Sequence, residues 1–227
     1  KFLFLPLLAL LASCGKNEDC DIVTPQPEDL VSPALYATLS QSSTDPYNGP
    51  LEVLPCETNG SFYIGNYTAK GKQVPFPAYY LITNGIGKSQ KYPLRLPVGT
   101  YNVIYWGYPD YFGTAGDAYL ADPTLIIGKK LNTTSLGLRK IPGDTVYYPI
   151  HSLVYGTQNI NIGKDDLQAH LKHASAALSV IVSETNGDAF SDAIDSMWIY
   201  ISNIYSNLNY FSARPEGTFK TISFGLK

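Results

Sequence analysis

Residues 92–106 read Tyr92-Pro93-Leu94-Arg95-Leu96-Pro97-Val98-Gly99-Thr100-Tyr101-Asn102-Val103-Ile104-Tyr105-Trp106. Leu94 and Leu96 alternate with Arg95 before Pro97-Val98-Gly99 interrupts the run. Proline presets φ and glycine tolerates positive φ, so this trio carries turn chemistry. Tyr101 to Trp106 is then a block of aromatic and β-branched residues, the types that sit best on a pleated surface. The stretch predicts a strand, a turn and a returning strand.

The same style extends in both directions. Leu35-Tyr36-Ala37-Thr38-Leu39 alternates, residues 42–50 are loop-like, and Leu51-Glu52-Val53-Leu54, Phe62-Tyr63-Ile64 and Ala78-Tyr79-Tyr80-Leu81-Ile82 read as further strands. Downstream, Thr124-Leu125-Ile126-Ile127, Thr145-Val146-Tyr147-Tyr148 and Gln158-Asn159-Ile160-Asn161-Ile162 follow, each bounded by Gly or Pro. Leu171 to Val182 carries a period-2 run with Ala176, Leu178, Val180 and Val182 on one face, residues 188–195 have room for one helical turn, and Met197 to Tyr205 is another strand. Short strands at this spacing predict an all-β chain of sandwich type. A polar, glycine-bearing point at Gly163-Lys164 suggests a boundary, giving a sandwich over 34–163 and the start of a second over 164–227. About 60 residues are thin for an independent sandwich.

The N-terminus has its own logic. Phe2 to Ala12 is apolar behind Lys1, but a spanning helix needs roughly 20 such residues. The run fits a secretory signal over 1–13, and Leu11-Ala12-Ser13-Cys14 resembles the bacterial lipobox, in which the cysteine thiol is acylated and becomes the new N-terminus. Each buried methylene contributes about 0.8 kcal/mol, so two or three chains on Cys14 would hold the protein to the outer membrane permanently. Gly15-Lys16-Asn17-Glu18-Asp19 is similar to the export signals of surface-exposed Bacteroidetes lipoproteins. Residues 14–33, acidic and with Pro25, Pro27 and Pro33, read as a tether. Cys20 and Cys56 remain as an even pair in an exported chain: either a bridge, stabilising by roughly 3 to 4 kcal/mol, or two free thiols.

Composition excludes several classes. With 44% apolar and 13% aromatic residues the chain can build cores, and Gly 19 with Pro 16 makes it rich in turns. A net charge of -3 without a basic cluster leaves no footprint for nucleic acid. His170 and His173 would face opposite sides of a strand, and His151 has no nucleophile motif nearby. Asn84-Gly85-Ile86-Gly87-Lys88-Ser89 lacks the earlier glycine a phosphate-binding loop requires, since that position is Ile82; a β-turn is the better reading. Asp165-Asp166, Asp192 and Asp195 form no acid-base pair. No catalytic, cofactor or metal site is read, and the chain is not read as an enzyme. Trp106, Tyr108 and Tyr111 are the densest aromatic cluster and define an alternative reading, a surface glycan-binding lipoprotein.

Leu96-Pro97-Val98-Gly99-Thr100-Tyr101-Asn102-Val103 resembles the LPxGxYxV hairpin of transthyretin-like sandwiches. With Trp106-Gly107 after it, Ser152-Leu153-Val154-Tyr155-Gly156 further on and the run from Leu171, the order resembles the fimbrillin superfamily of Bacteroidales fimbriae, especially its lipid-anchored FimB-like branch. The resemblance implies tandem transthyretin-like β-sandwich domains, the second incomplete here, and a structural role in a fimbrium with other fimbrial subunits as partners, joined by β-strand addition. It also implies pairing of Cys20 with Cys56. The sequence starts without Met and its second sandwich reaches only about three strands, so a fragment lacking the C-terminal assembly strand is expected. Stalk subunits of the family lose their leader and first strand by cleavage, commonly after arginine. Asn17 to Ala69 contains no Lys or Arg, which favours an anchor or accessory subunit that keeps its lipid.

Overall fold

The computed structural model describes residues 26–39, 45–90, 92–109, 120–150, 152–176, 178–182 and 196–226. Its first ten strands are β1 (Leu30–Val31), β2 (Leu35–Leu39), β3 (Asp45–Pro46), β4 (Gly49–Cys56), β5 (Asn66–Tyr67), β6 (Gln73–Val74), β7 (Ala78–Thr83), β8 (Ile86–Ser89), β9 (Leu96–Pro97) and β10 (Gly99–Gly107). Then come β11 (Leu120–Ala121), β12 (Ser135–Leu138), β13 (Val154–Ile162), β14 (Leu167–His173), β15 (Met197–Asn209) and β16 (Pro215–Leu226). The described residues hold no α-helix, only two single 3-10 turns at Pro27–Asp29 and Leu131–Thr133.

The opening stretch builds the central strand. β10 runs antiparallel to β13 over nine register pairs, from Gly99 with Ile162 to Gly107 with Val154, and to β4 on its other side. Strands β14-β13-β10-β4-β7-β8-β2 are hydrogen-bonded in that order, and β14 also pairs with β2, so seven strands close on themselves with β3 appended to β2. Leu35, Ala37, Leu51, Val53, Tyr105 and Leu171 are among the side chains that fill the inside. Closure removes the free edges that an open sheet leaves for aggregation.

β10 is buried on both faces, which explains why its run is apolar without alternating. Val103 and Tyr105 point into the closed sheet, while Ile104 and Trp106 point outward into a second core with Leu54, Cys56, Leu131, Leu136 and Tyr210. That core lies under a second sheet of order β11-β12-β15-β16. Asn84 and Gly85, with φ of 50° and 76°, form the two-residue turn between β7 and β8. Asn-Gly is the preferred pair where both central residues need positive φ, so the β-turn expected at this glycine-rich stretch is present.

Several elements depart from expectation. The boundary at 163/164 does not coincide with a change of sheet, because β14 lies in the closed sheet and β11 and β12 lie in the other. Leu167, Ala169 and Leu171 all face the first core, and that burial assigns β14 to it. The alternation at 176–182 forms no strand in its described residues; Leu178, Val180 and Val182 of its apolar face are exposed, although Ala176 and Leu178 also line a groove against the second sheet. Thr124 to Ile127 is likewise irregular, and Thr145 to Tyr148 contributes a single bridge residue, Tyr147. β16 lay outside the expected strands, although Ile222 and Phe224 alternate within it.

Candidate functional site

The segment that a strand-exchange protein would have to release is here tied down at every step. β1 pairs with β9, the Ser32 hydroxyl donates to the Leu94 carbonyl at 2.8 Å, and the Ala34 N–H donates to Asp166 Oδ1 at 3.1 Å. β2 then runs parallel to β14 in five-residue register, Leu35 with Leu167 to Leu39 with Leu171. On its other side it meets β8 at Tyr36 and β3 at Thr38 and Leu39. Leu35 and Ala37 are buried, and each fully buried leucine contributes about 1.5–3 kcal/mol. Gly87 has no side chain because Leu35 fills its place: an added Cβ would lie 2.9 Å from Leu35 Cδ2. The first strand is a structural member of the closed sheet.

Between the two sheets lies a seam rich in tyrosine. Trp106 has no exposed surface; its Nε1–H donates to the Tyr210 carbonyl at 3.0 Å and its ring stacks on Tyr210 at 5.6 Å. The Tyr210 hydroxyl donates to Glu52 Oε2 at 3.3 Å. Burial pushes Glu52 up to about 7, and Asp122 facing it adds to the rise, while hydrogen bonds from Tyr79 and Tyr210 oppose it. Asp122 is exposed at the rim yet partial desolvation raises it too, and Glu52 keeps part of its own surface open to solvent, so its desolvation against the buried Tyr210 hydroxyl is the leading cause of the rise. The Tyr108 hydroxyl is buried without a hydrogen-bond partner.

The described residues place some of the positions singled out from sequence. Trp106 offers no face to a sugar, because the second sheet covers it, and Tyr108 turns its hydroxyl inward; Tyr111 lies outside the described residues. Cys56 lies completely buried in the second core with no disulfide partner among the described residues, and burial pushes its thiol up to about 12. Cys14, Cys20, His151, Asp192, Asp195 and residues 188–191 fall outside the described residues. His170 shares a 3.0 Å hydrogen bond with the Thr38 hydroxyl across β14 and β2. Among the described residues no three His, Cys, Asp or Glu side chains group as a metal site would need. Sequence reasoning missed Glu52, which looks like a solvent-facing position in an alternating strand. The signal was that Leu54 and Cys56 share its face.

The second sheet leaves an apolar groove of about 380 Å³ lined by Leu136, Leu138, Ile201, Ile204, Ile222 and Phe224, among others. Tyr147 covers part of the outer edge of β16, its N–H donating to the Thr221 carbonyl and its carbonyl accepting from Ser223, both at 3.0 Å. On β15, Trp198 and Tyr200 are exposed.

With this geometry in place, comparison with known families is decisive. The family model for fimbrillin-A associated anchor proteins Mfa1 and Mfa2 matches residues 24–227. The chain belongs to the fimbrillin-A associated anchor family. This is a family of fimbrial anchor proteins and not of enzymes, and membership associates the chain with the fimbrium, its subunits and the cell surface. No curated protein matches the sequence. Among solved structures, the chain is similar to the fimbrial anchor protein Mfa2 from Porphyromonas gingivalis, at 10% identity and a TM-score of 0.46, over 83% of this chain and 65% of that one. It is also similar to a candidate polysaccharide-binding protein from Bacteroides thetaiotaomicron, at 14% identity and a TM-score of 0.47, over 85% and 70%. A candidate adhesin from Bacteroides ovatus aligns at 12% identity and a TM-score of 0.44, over 88% and 64%. The chain thus spans about two thirds of the length of these structures.

Proposed function

We propose that this chain is an anchor or accessory subunit of an outer-membrane fimbria, held at the membrane by acyl chains on Cys14 and joined to neighbouring subunits by β-strand addition. The observation that supports it best is the parallel register of β2 against β14. A stalk subunit must vacate its first strand to accept a partner's strand, whereas here that slot is filled by the chain's own Leu35 to Leu39. The absence of Lys and Arg from Asn17 to Ala69 agrees with it, since basic-specific cleavage has no target within β2 or between Asn17 and β2. Neighbours would then engage a different edge, such as the part of β16 that Tyr147 leaves uncovered, with the apolar groove across the second sheet beside it.

The same reading includes the Cys20–Cys56 bridge. Cys56 is covered on all sides, so Cys20 would have to enter the second core, drawing the tether against the outer face of β4. Non-reducing peptide mapping of surface-isolated protein is expected to find the two joined; two freely alkylated thiols would remove the bridge from the proposal. The anchor itself is tested by Cys14→Ser. Labelled palmitate should enter the wild type and not the variant, and cells making the variant should shed polymerised fimbriae into the medium. Equal labelling, with fimbriae retained, would end the proposal.

A further inference from the structure

The seam between the closed sheet and the second sheet holds one carboxyl with an unusual environment. Glu52 projects from β4 on the same side as Trp106 and Leu54 and meets Tyr210, which follows β15 in the second sheet. The groups that face it are Tyr79 from β7, Tyr210 beyond β15, Asp122 beyond β11 and the Tyr108 hydroxyl beyond β10. Tyr63, on the segment after β4, feels its charge as well. Every one of these groups is neutral or acidic. Among the described residues no cationic side chain pairs with Glu52.

A carboxylate in this position has two weak hydrogen-bond donors, another carboxylate at the rim and aromatic walls. Ionised, it has poor solvation and like-charge repulsion. Protonated, it still accepts from Tyr210 and carries no charge into the seam. Opening the seam hydrates it and releases the proton, so opening and ionisation are linked. We propose that Glu52 is a proton-controlled latch between the two sheets: protonated, it lets the second sheet seat on the closed sheet, and ionised beside Asp122 it loosens that contact. The latch concerns the pairing of layers within the chain and stands independently of the fimbrial reading.

The direction follows from the two limits, an ordinary value of 4.5 for the open seam and about 7 for the closed one. Below 4.5 both states are protonated and the seam is at its tightest. Between 4.5 and 7 opening releases a proton, so its equilibrium constant rises by up to about tenfold per pH unit, and above 7 it levels off.

Hydrogen exchange on the full chain, corrected for the intrinsic pH dependence of exchange, reads this directly. In the wild type, protection of amides at 204–212 and 131–138 should fall about tenfold per pH unit from 4.5 to 7, while amides of β10 and β13 stay level. Glu52→Gln, which keeps an oxygen for Tyr210, should flatten the slope to the part that Asp122, itself raised by desolvation, contributes. Asp122→Asn should move its upper end to lower pH, and it carries the test alone if the first variant does not fold. A wild type without slope, an unchanged slope in Glu52→Gln or an unmoved upper end in Asp122→Asn would overturn the latch.

Discussion

Replacing Trp106 by alanine separates the structural role of this ring from a ligand-binding one. The side chain has no exposed surface, stacks on Tyr210 at 5.6 Å, packs on Tyr155 at 4.9 Å and donates its Nε1–H to the Tyr210 carbonyl. Truncating a buried residue of this size costs about 3–5 kcal/mol, transfer and cavity contributions together. That is a large part of the 5–15 kcal/mol that holds an ordinary domain folded. For a chain of this length each kcal/mol moves the midpoint by about 2–4 °C, so Tm should fall on the order of 10 °C. Trp106→Phe retains most of the ring but leaves the Tyr210 carbonyl without its donor, which should cost about 1–3 kcal/mol. Urea denaturation of the wild type and both variants provides the ranking. The reasoning fails if Trp106→Ala loses less than about 1 kcal/mol, and a stable variant that had lost binding to a sugar array would restore the glycan reading.

Leu35→Ala should destabilise the closed sheet by about 2–5 kcal/mol, measured in the same denaturant series; a loss within 0.5 kcal/mol would mean β2 is not packed as described. Gly85→Ala should cost about 1 kcal/mol or more, because φ is +76° and its Cβ would sit 3.0 Å from the Ala37 carbonyl oxygen; a neutral result would contradict the tight turn. Glu52 has a raised folded pKa, so its contribution is fully present below 4.5 and lost as pH rises to about 7, a difference of up to about 3 kcal/mol. Glu52→Gln should therefore gain on the wild type in global stability as pH rises across that window; a constant offset at pH 4, 6 and 8 would refute the linkage.

How far the fold was legible depends on whether a residue's neighbours are local. Asn84-Gly85 specifies its own turn, and Val103 to Trp106 has no polar gap, as a strand buried on both faces requires. The all-β class and most strands of the closed sheet follow from such runs. Domain organisation was less legible, because the chain exchanges pieces between sheets: β12 comes from ahead of the expected boundary and serves the second sheet, while β14 comes from beyond it and closes the first. Hydrophobic alternation reports that a strand has a buried face and says nothing about which sheet buries it. The same limit explains 176–182, whose alternation builds no strand among the described residues, and Trp106, which Tyr210 covers from more than one hundred residues later in the chain. Glu52 was unreadable for the same reason, since its partial burial against Tyr210 depends on that distant covering layer.

The central claim is that the chain keeps its own first strand, filling the slot between β14 and β8, while it serves in the fimbrium. Intact-mass and N-terminal analysis of the protein purified from assembled fimbriae tests it most directly. The account predicts an acylated chain beginning at Cys14 with Leu35 to Leu39 present; an unlipidated chain beginning beyond Leu39 would contradict it and make this protein a processed stalk subunit.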